Sequence, residues 1–269
     1  MTVAIIGDVH GCVREFEILL TRLEAANVDT IVSVGDLTDK GPESNACVEL
    51  AADRKVVLVN SNHDDKYIQA LKKGRHYSTI KHDERRKVFA SLSQKAKDYL
   101  LTARPYYLGG YKGPNTFNEQ YIAVHGGVGP NHNLFPIDGK SYNEILRLRY
   151  VDKDTFEKVA TVHNADGSWG PEHPNVFKWQ EVYDGRYGPV IHGHIVEKLG
   201  APVYWYKGKK YEFIENGPSL HLTDSSMVLS IDSGCAYGGS LTAAVIDEYG
   251  YVTIHEVNAL QRYTAEQTR

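Results

Sequence analysis

Short apolar runs alternate with polar, glycine-containing loops and longer amphipathic stretches over the first sixty residues. Thr2–Ile6 is a β-branched apolar run that stops at Gly7-Asp8-Val9-His10-Gly11, which predicts a strand opening into a tight loop. From Cys12 to Ala26 the residues Val13, Phe16, Leu19, Leu20 and Leu23 recur at helical spacing, because positions three and four apart share one helix face. Thr30–Val34 is a second buried strand, ending in Gly35-Asp36-Leu37-Thr38-Asp39-Lys40-Gly41-Pro42. A helix over Ser44–Asp53 and a strand over Val56–Val59 follow, the strand turning out through Asn60-Ser61-Asn62-His63-Asp64. This β-α-β-α-β order predicts parallel strands whose C-terminal loops gather on one edge, where the sites of such sheets form.

Further along, Asp65–Thr102 reads as helices, a cap over about 65–104 within a single domain spanning 1–269. The basic residues Lys72, Lys73, Arg75, Lys81, Arg85, Arg86 and Lys87 read as its solvated face. Extended structure resumes at Pro105–Leu108, 112–120 is a polar hairpin insertion, and Tyr121–Val124 ends in His125-Gly126-Gly127. Ser141–Arg149 predicts a short helix bearing Arg147 and Arg149, 164–175 a loop around Trp169, and Phe177–Tyr183 another helix. Pro189–Ile191 is a strand that stops at His192-Gly193-His194. Strands are then expected at Val203–Tyr206, Tyr211–Ile214, Met227–Ile231, Thr242–Asp247 and Val252–His255, with Asp232 another carboxylate at a strand end.

Composition narrows the class. Of 269 residues, 42% are apolar and 24% charged, as in a globular protein with a sizeable core; only Thr264–Arg269 lacks apolar anchors and reads as disordered. A formal net charge of −4 argues against general nucleic-acid coating. Cys12, Cys47 and Cys235 fit neither a disulfide framework nor a zinc ribbon. Without a signal segment or a run able to span a bilayer, a cytoplasmic protein with no membrane partner is expected.

Successive strands thus end in carboxylate, amide or imidazole groups. In a parallel arrangement Asp8, His10, Asp36, Asn62 and His63 fall within one cluster, and the Asp, His, Asp, Asn, His, His groups at the strand ends are an oxygen and nitrogen donor set without thiolates, suited to manganese, iron or zinc. Six donors are enough for two ions if one carboxylate bridges, and two ions clamp the attacking and leaving oxygens of a phosphoryl displacement.

The motifs Gly7-Asp8-Val9-His10-Gly11, Gly35-Asp36 through Asp39-Lys40-Gly41-Pro42, Asn62-His63-Asp64, His125-Gly126 and Gly193-His194 occur here in the order of the calcineurin-like metallophosphoesterases. The chain resembles the phosphoprotein phosphatase group of that family in its bacterial and phage members. The stretch Ile231-Asp232-Ser233-Gly234-Cys235 with Gly238-Gly239-Ser240-Leu241-Thr242 looks most like symmetrical dinucleoside tetraphosphatases and the phosphatase module of bacterial polynucleotide kinase-phosphatases. The resemblance implies a two-sheet α/β sandwich flanked by helices, with a dinuclear metal site at strand C-terminal edges. It implies Asp8, His10 and Asp36 on one ion, and Asp36, Asn62, His125 and His194 on a second. The ions would be manganese, with iron, zinc or nickel as alternatives. His63 matches the general acid and Asp39 the carboxylate that orients it and favours the imidazolium. His192, two before His194, either lines the site or is a satisfied core histidine.

Three positions depart from the family pattern: Lys40 and Asn60 stand where arginines grip phosphate, and Ser61 stands for a glycine. Lysine cannot hold phosphate bidentately, so altered substrate preference is expected, with Lys40, Asn60, Arg147 and Arg149 as candidate substrate-binding residues. The implied reaction is hydrolysis of phosphomonoesters, phosphoserine and phosphothreonine proteins or small compounds, by metal-bound hydroxide. The alternative is symmetrical cleavage of a dinucleoside tetraphosphate such as diadenosine tetraphosphate, with a base stacked on Tyr106, Tyr107, Trp169, Tyr204, Trp205 or Tyr206. Trimming of nucleic-acid 3′ ends is a third reading. A metal-stabilised binding protein would have lost His63 or Asp39, and both are present.

Overall fold

The opening pattern folds as its periodicity predicts. The computed structural model describes residues 1–76, 82–113, 118–164, 169–213 and 220–264. Strand β1 (Val3–Ile6), helix α1 (Val13–Ala25), β2 (Thr30–Ser33), α2 (Ser44–Asp53) and β3 (Val57–Leu58) make a βαβαβ unit whose strands pair in parallel. Helices α3 (Asp64–Lys72), α4 (Asp83–Ser91) and α5 (Gln94–Leu100) follow, then an antiparallel pair β4 (Tyr107–Lys112) and β5 (Asn118–Val124). Next come α6 (Gly139–Ile145) and the short strands β6 (Tyr150–Asp152), β7 (Lys158–Val159), β8 (Thr161–His163), β9 (Trp169–Pro171) and β10 (Val176–Lys178). The chain finishes with β11 (Val190–His192), β12 (Val203–Tyr206), β13 (Lys209–Glu212), β14 (Leu220–His221), β15 (Val228–Ser230), β16 (Ser240–Ile246) and β17 (Tyr251–Asn258).

Two six-stranded sheets result, ordered β14-β17-β16-β1-β2-β3 and β13-β12-β15-β11-β5-β4. Their inner faces share one buried cluster, in which Val3, Ile5, Val32 and Val34 meet Ala123, Ile191, Leu229 and Ile231. Because side chains alternate across a strand, Ala4 and Ile6 face the other way, onto Phe16, Leu19, Leu20 and Leu23 of α1. On the far side of the second sheet Ile122, Val124, Val190 and Val228 pack with Leu148 and Trp179. Each fully buried aliphatic side chain contributes about 1.5–3 kcal/mol, so the helix–sheet–sheet layering follows from where these residues fall. The fold is a mixed α/β sandwich of two sheets flanked by helices, and both sheets send strand ends toward the polar loops. No described helix is long and apolar enough to cross a membrane.

The middle of the chain departs from the sequence expectation. Helix α6 stops before Arg147, because Gly126 and Gly127 donate to the Ile145 carbonyl at 2.7 and 3.3 Å. Arg147 therefore lies in the turn that closes the helix, its N donating to Glu144 O at 2.9 Å, and Arg149 in the short segment leading into β6. The expected helix at Phe177–Tyr183 is strand β10 followed by one 3-10 turn, Trp179–Glu181, with the Glu181 carboxylate accepting from Lys178 N at 3.0 Å. Within the expected loop at 164–175, Trp169–Pro171 pairs with Thr161–His163. The expectations for Lys81, Ile214 and 265–269 lie outside the described residues.

Candidate active site

The loop after β1, the first, and the loop after β2, the second, are zipped together by backbone hydrogen bonds. The Asp36 carbonyl accepts from Val9 N at 3.2 Å and His10 N at 2.7 Å, Gly11 N donates to Leu37 O at 3.0 Å, and Gly41 N donates to His10 O at 2.9 Å. The approach is close enough that a Cβ on Gly41 would stand 2.2 Å from His10 O. Asp64, fully buried at the start of α3, clamps the second loop by accepting from Leu37 N (3.1 Å), Thr38 N (3.2 Å) and Thr38 Oγ1 (2.6 Å). Asp64→Ala leaves three buried donors without partners and is expected to cost about 3 kcal/mol or more, read as a lower urea midpoint. Ser61, where the family pattern has glycine, accepts from Asp36 N at 2.8 Å through its hydroxyl. Of nine described non-glycine residues with positive φ, five are His10, Asp36, Asp39, Lys40 and His194; such strain, about 1 kcal/mol or more each, gathers at functional loops.

These loops bring all six predicted donors into one cluster. His10 Nε2 is 3.2 Å from Asp36 Oδ2 and 3.7 Å from Asp8 Oδ2. His125 Nε2 is 3.4 Å from Asp36 Oδ1 and 2.7 Å from Asn62 Oδ1. His10 Nδ1 faces Thr38 O and His125 Nδ1 faces Val34 O, both at 2.9 Å, so each ring gives its Nδ1–H to a carbonyl and turns a bare Nε2 into the cluster. His194 joins through its backbone, its N donating to both Asp8 oxygens at 3.0 and 3.2 Å. Gly193 allows this, since a Cβ there would stand 2.1 Å from Asp8 Oδ1.

Electrostatics and unmet hydrogen bonding both fit divalent cations at this cluster. His194 Nε2 is buried without a hydrogen-bond partner, and burial, then Arg149 and His125, holds its imidazole well below the usual range. Burial, then the charges of Asp232 and Asp36, pushes the Asp8 carboxyl well up. For Asp36 burial acts in the same direction, but His125, His63 and His10 outweigh it and hold the carboxylate low. One cation already leans in: Lys40 Nζ lies 2.8 Å from His10 Nε2, the lone pair a metal would take. The donor set, oxygen and imidazole without sulfur, suits borderline divalent ions.

Next to this cluster, His63 Nδ1 meets Asp39 Oδ2 at 2.6 Å. Tyr67 donates to the other Asp39 oxygen, and Arg85 Nε of α4 approaches at 3.6 Å. Arg85 is thus drawn into the site, unlike the solvated face expected of it. Burial brings the His63 ring down to about 4, outweighing the upward pull of the Asp36 charge and of the Asp39 hydrogen bond, so the resting ring is not the imidazolium expected from its partner carboxylate. His192 proves to be a core histidine, with Nδ1 donating to Gly193 O at 2.8 Å and its ring 5.0 Å from that of Trp179.

A cavity of about 400 Å³ opens directly from Asn62 and His194. Lys66, Arg147, Arg149 and Lys158 line it, with 159–161 completing the wall, and no carboxylate is among the described lining residues. Arg149 is held by donating to His194 O at 3.1 Å. Burial, then Arg85, depresses the Lys66 ammonium, with Arg147 adding to the crowding of like charge. The other two predicted substrate residues sit elsewhere: Lys40 lies between His10 and the Tyr237 ring, and the Asn60 amide donates to Asp65 Oδ1 (2.9 Å) and Tyr142 Oη (2.6 Å). Of the aromatic residues suggested for base stacking, Tyr106, Tyr107, Tyr204 and Trp205 pack in the cores between and behind the sheets. None of the described residues of 203–224 lines the cavity. The sequence pattern gives no sign of Lys66 and Lys158, and marks Asp232 only as a carboxylate at a strand end.

A two-sheet sandwich whose strand ends present a buried carboxylate–imidazole cluster beside a cation-lined cavity is the arrangement of a metal-dependent phosphoesterase. The chain belongs to the Calcineurin-like phosphoesterase family, whose profile matches residues 1–198, and it is a hydrolase of phosphoric ester or anhydride bonds. It is 24% identical to the symmetrical bis(5'-nucleosyl)-tetraphosphatase of Chromobacterium violaceum, over 92% of this chain and 93% of that one. With the asymmetrical bis(5'-nucleosyl)-tetraphosphatase PrpE of Anoxybacillus flavithermus it shares 26% identity over 98% and 97%. A 70-residue segment, 24% of the chain, is 38% identical to serine/threonine-protein phosphatase 1 of Salmonella typhimurium, covering 31% of that protein. Among solved structures, one assigned provisionally as a diadenosine tetraphosphatase superposes with a TM-score of 0.63 at 24% identity, covering 96% of this chain and 93% of that one. A metallophosphoesterase from Sphaerobacter thermophilus gives 0.57 at 18%, covering 96% and 88%.

Proposed function

We propose that this protein hydrolyses an anhydride bond within a dinucleoside polyphosphate. The cavity beside Asn62 and His194, with no carboxylate among its described lining residues, carries the reading: Lys66, Arg147, Arg149 and Lys158 bring four cations to a volume of about 400 Å³. A single phosphomonoester needs fewer counter-charges than a chain of several phosphates. Full-length similarity to tetraphosphatases of both cleavage types supports the same class.

In this reading Asp8, His10 and Asp36 hold one divalent ion, and Asp36, Asn62, His125 and His194 hold the other. When bound, such ions supply an acidified water and neutralise charge on the transferring phosphoryl group. Arg147 and Arg149 grip the phosphate next to the cluster, while Lys66 and Lys158 hold the phosphates beyond it. Phosphate gripping has thus moved from the family's usual arginine positions, here Lys40 and Asn60, to the cavity wall.

Phosphomonoester hydrolysis is the second reading, and the His63–Asp39 pair favours it. An alkoxide leaves poorly and needs a proton, whereas a nucleotide phosphate leaves readily.

The test uses metal-stripped protein with manganese restored, and diadenosine tetraphosphate, a phosphothreonine peptide and para-nitrophenyl phosphate as substrates. Diadenosine tetraphosphate is expected to turn over with the highest kcat/KM. Lys158→Glu should raise its KM about ten- to a hundredfold, the loss of one charged hydrogen bond, and leave para-nitrophenyl phosphate within about twofold. Two ADP molecules mean symmetrical cleavage; AMP with ATP means asymmetrical. Preference for the peptide, with no response to Lys158→Glu, would replace the first reading by the second.

A further inference from the structure

All three cysteines are free and buried, and two of them meet a carboxylate behind the catalytic loops. Cys12 precedes α1, Glu15 lies in its first turn, and Cys235 begins the 3-10 turn Cys235–Tyr237 that follows the Asp232 loop. Cys12 Sγ, Cys235 Sγ and a Glu15 carboxylate oxygen all lie within 4.8 Å of one another. The three residues are 1%, 1% and 0% exposed, so water does not solvate the cluster.

Glu15 is the informative member. Its Oε1 accepts from Leu260 N and from the Tyr263 hydroxyl, both at 2.8 Å, which fixes the direction of the carboxylate. Its Oε2 is buried with no hydrogen-bond partner. An acceptor left bare in the interior costs about 1–3 kcal/mol, and thiols are weak donors with which to offset that. Cys12 Sγ donates to His10 O at 3.7 Å, and a cation between the two sulfurs would satisfy the bare oxygen while taking the place of that thiol proton.

We infer that Cys12, Glu15 and Cys235 form a further metal site, selective for a thiophilic divalent cation such as zinc. Thiolate ligands favour zinc over manganese or magnesium, whereas the catalytic donor set contains no sulfur. The two sites therefore discriminate between ions by donor chemistry. Each thiol gives up its proton on ligation, so one bound ion releases two protons from the cysteines. Leu260 N and the Tyr263 hydroxyl act as outer supports that orient the carboxylate. The ion would join the loop bearing Asp8 and His10, the loop bearing Asp232 and the C-terminal segment at 260–263. Its role is to brace loop one from behind, and it does not depend on which substrate the cavity takes.

The test is a titration of the metal-stripped, full-length chain with cadmium as probe. Expected is a thiolate-to-cadmium charge-transfer band that saturates at one equivalent, persists in Cys47→Ser and is absent from the Cys12→Ser/Cys235→Ser double variant. Glu15→Gln keeps an oxygen for Leu260 N and Tyr263, so it retains the wild-type circular dichroism yet binds cadmium about tenfold or more weaker. Zinc loading followed by elemental analysis should find one ion more in the wild type than in the double variant. Absence of the band in the wild type, its persistence in the double variant, or unchanged affinity in Glu15→Gln overturns the assignment. So does a Cys12–Cys235 disulfide formed by hydrogen peroxide in a chain that takes up no thiolate-bound cadmium, since the pair is then a redox couple.

Discussion

Asp8→Asn is expected to remove metal-dependent turnover and, at the same time, to make the metal-stripped protein harder to unfold. Asp8 is buried, and the negative charges of Asp232 and Asp36 stand close enough to push its carboxyl well up, on top of the larger effect of burial. Its two oxygens are satisfied by one backbone donor, His194 N. Asparagine keeps the shape and one acceptor for that donor while removing a charge that the empty cluster does not balance. Replacing a buried charge of this kind stabilises by about 1–2 kcal/mol, a rise of about 2–8 °C in thermal midpoint for a chain of this size. With Asp8 as one of the proposed ligands, its loss should lower manganese-dependent kcat/KM by about a hundredfold or more. Manganese should raise the midpoint of the wild type and leave that of the variant nearly unchanged. Scanning calorimetry of both proteins, stripped and loaded, measures each part. A stripped variant less stable than the stripped wild type would show that the three carboxylates are not in conflict.

That tension between stability and chemistry explains why so much of the site was legible in the sequence. Gly7-Asp8, Gly35-Asp36, Asn62-His63, His125-Gly126 and Gly193-His194 each break an apolar strand with a residue costly to bury, and strand ends of a parallel unit converge by topology. Elements β1, α1, β2 and α2 are legible for a related reason: their apolar residues follow one period long enough to identify it. Strands β6 to β10 are two or three residues each, too short for alternation to register, which is why the pattern suggests a loop over 164–175, a helix over 177–183 and no element over 150–163. The cavity was harder still. Lys66 comes from α3, Arg147 and Arg149 from the segment after α6, and Lys158 from β7, and each alone is indistinguishable from a solvated charge. Only tertiary placement makes them one patch. Cys12 and Cys235 meet for the same reason, through the approach of two loops far apart in sequence.

His63→Gln is expected to reduce kcat by about 10²–10⁴ for substrates whose leaving group is an alkoxide, and by much less for diadenosine tetraphosphate. The geometry fixes which ring nitrogen can act. Nδ1 is committed to Asp39, which is itself held by Tyr67 and approached by Arg85, so Nε2 is the atom left for a leaving oxygen. Burial keeps the resting ring neutral, with a pKa of about 4; the negative charge of a bound phosphate acts in the opposite direction and favours a proton on Nε2. An alkoxide cannot depart without that proton, whereas a nucleotide phosphate departs as a stable anion, so the dependence on His63 should track the basicity of the leaving group. KM should change little, because the side chain acts on the leaving atom and not on the phosphates held by the cavity. Asp39→Asn should give a smaller loss in kcat with the same dependence, since the ring remains while its orientation and charge support weaken. Measuring kcat for both variants on a series of aryl and alkyl phosphates alongside diadenosine tetraphosphate separates the cases. An equal loss on every substrate would mean that His63 serves the metal cluster through its 5.0 Å ring contact with His10, and not the leaving group.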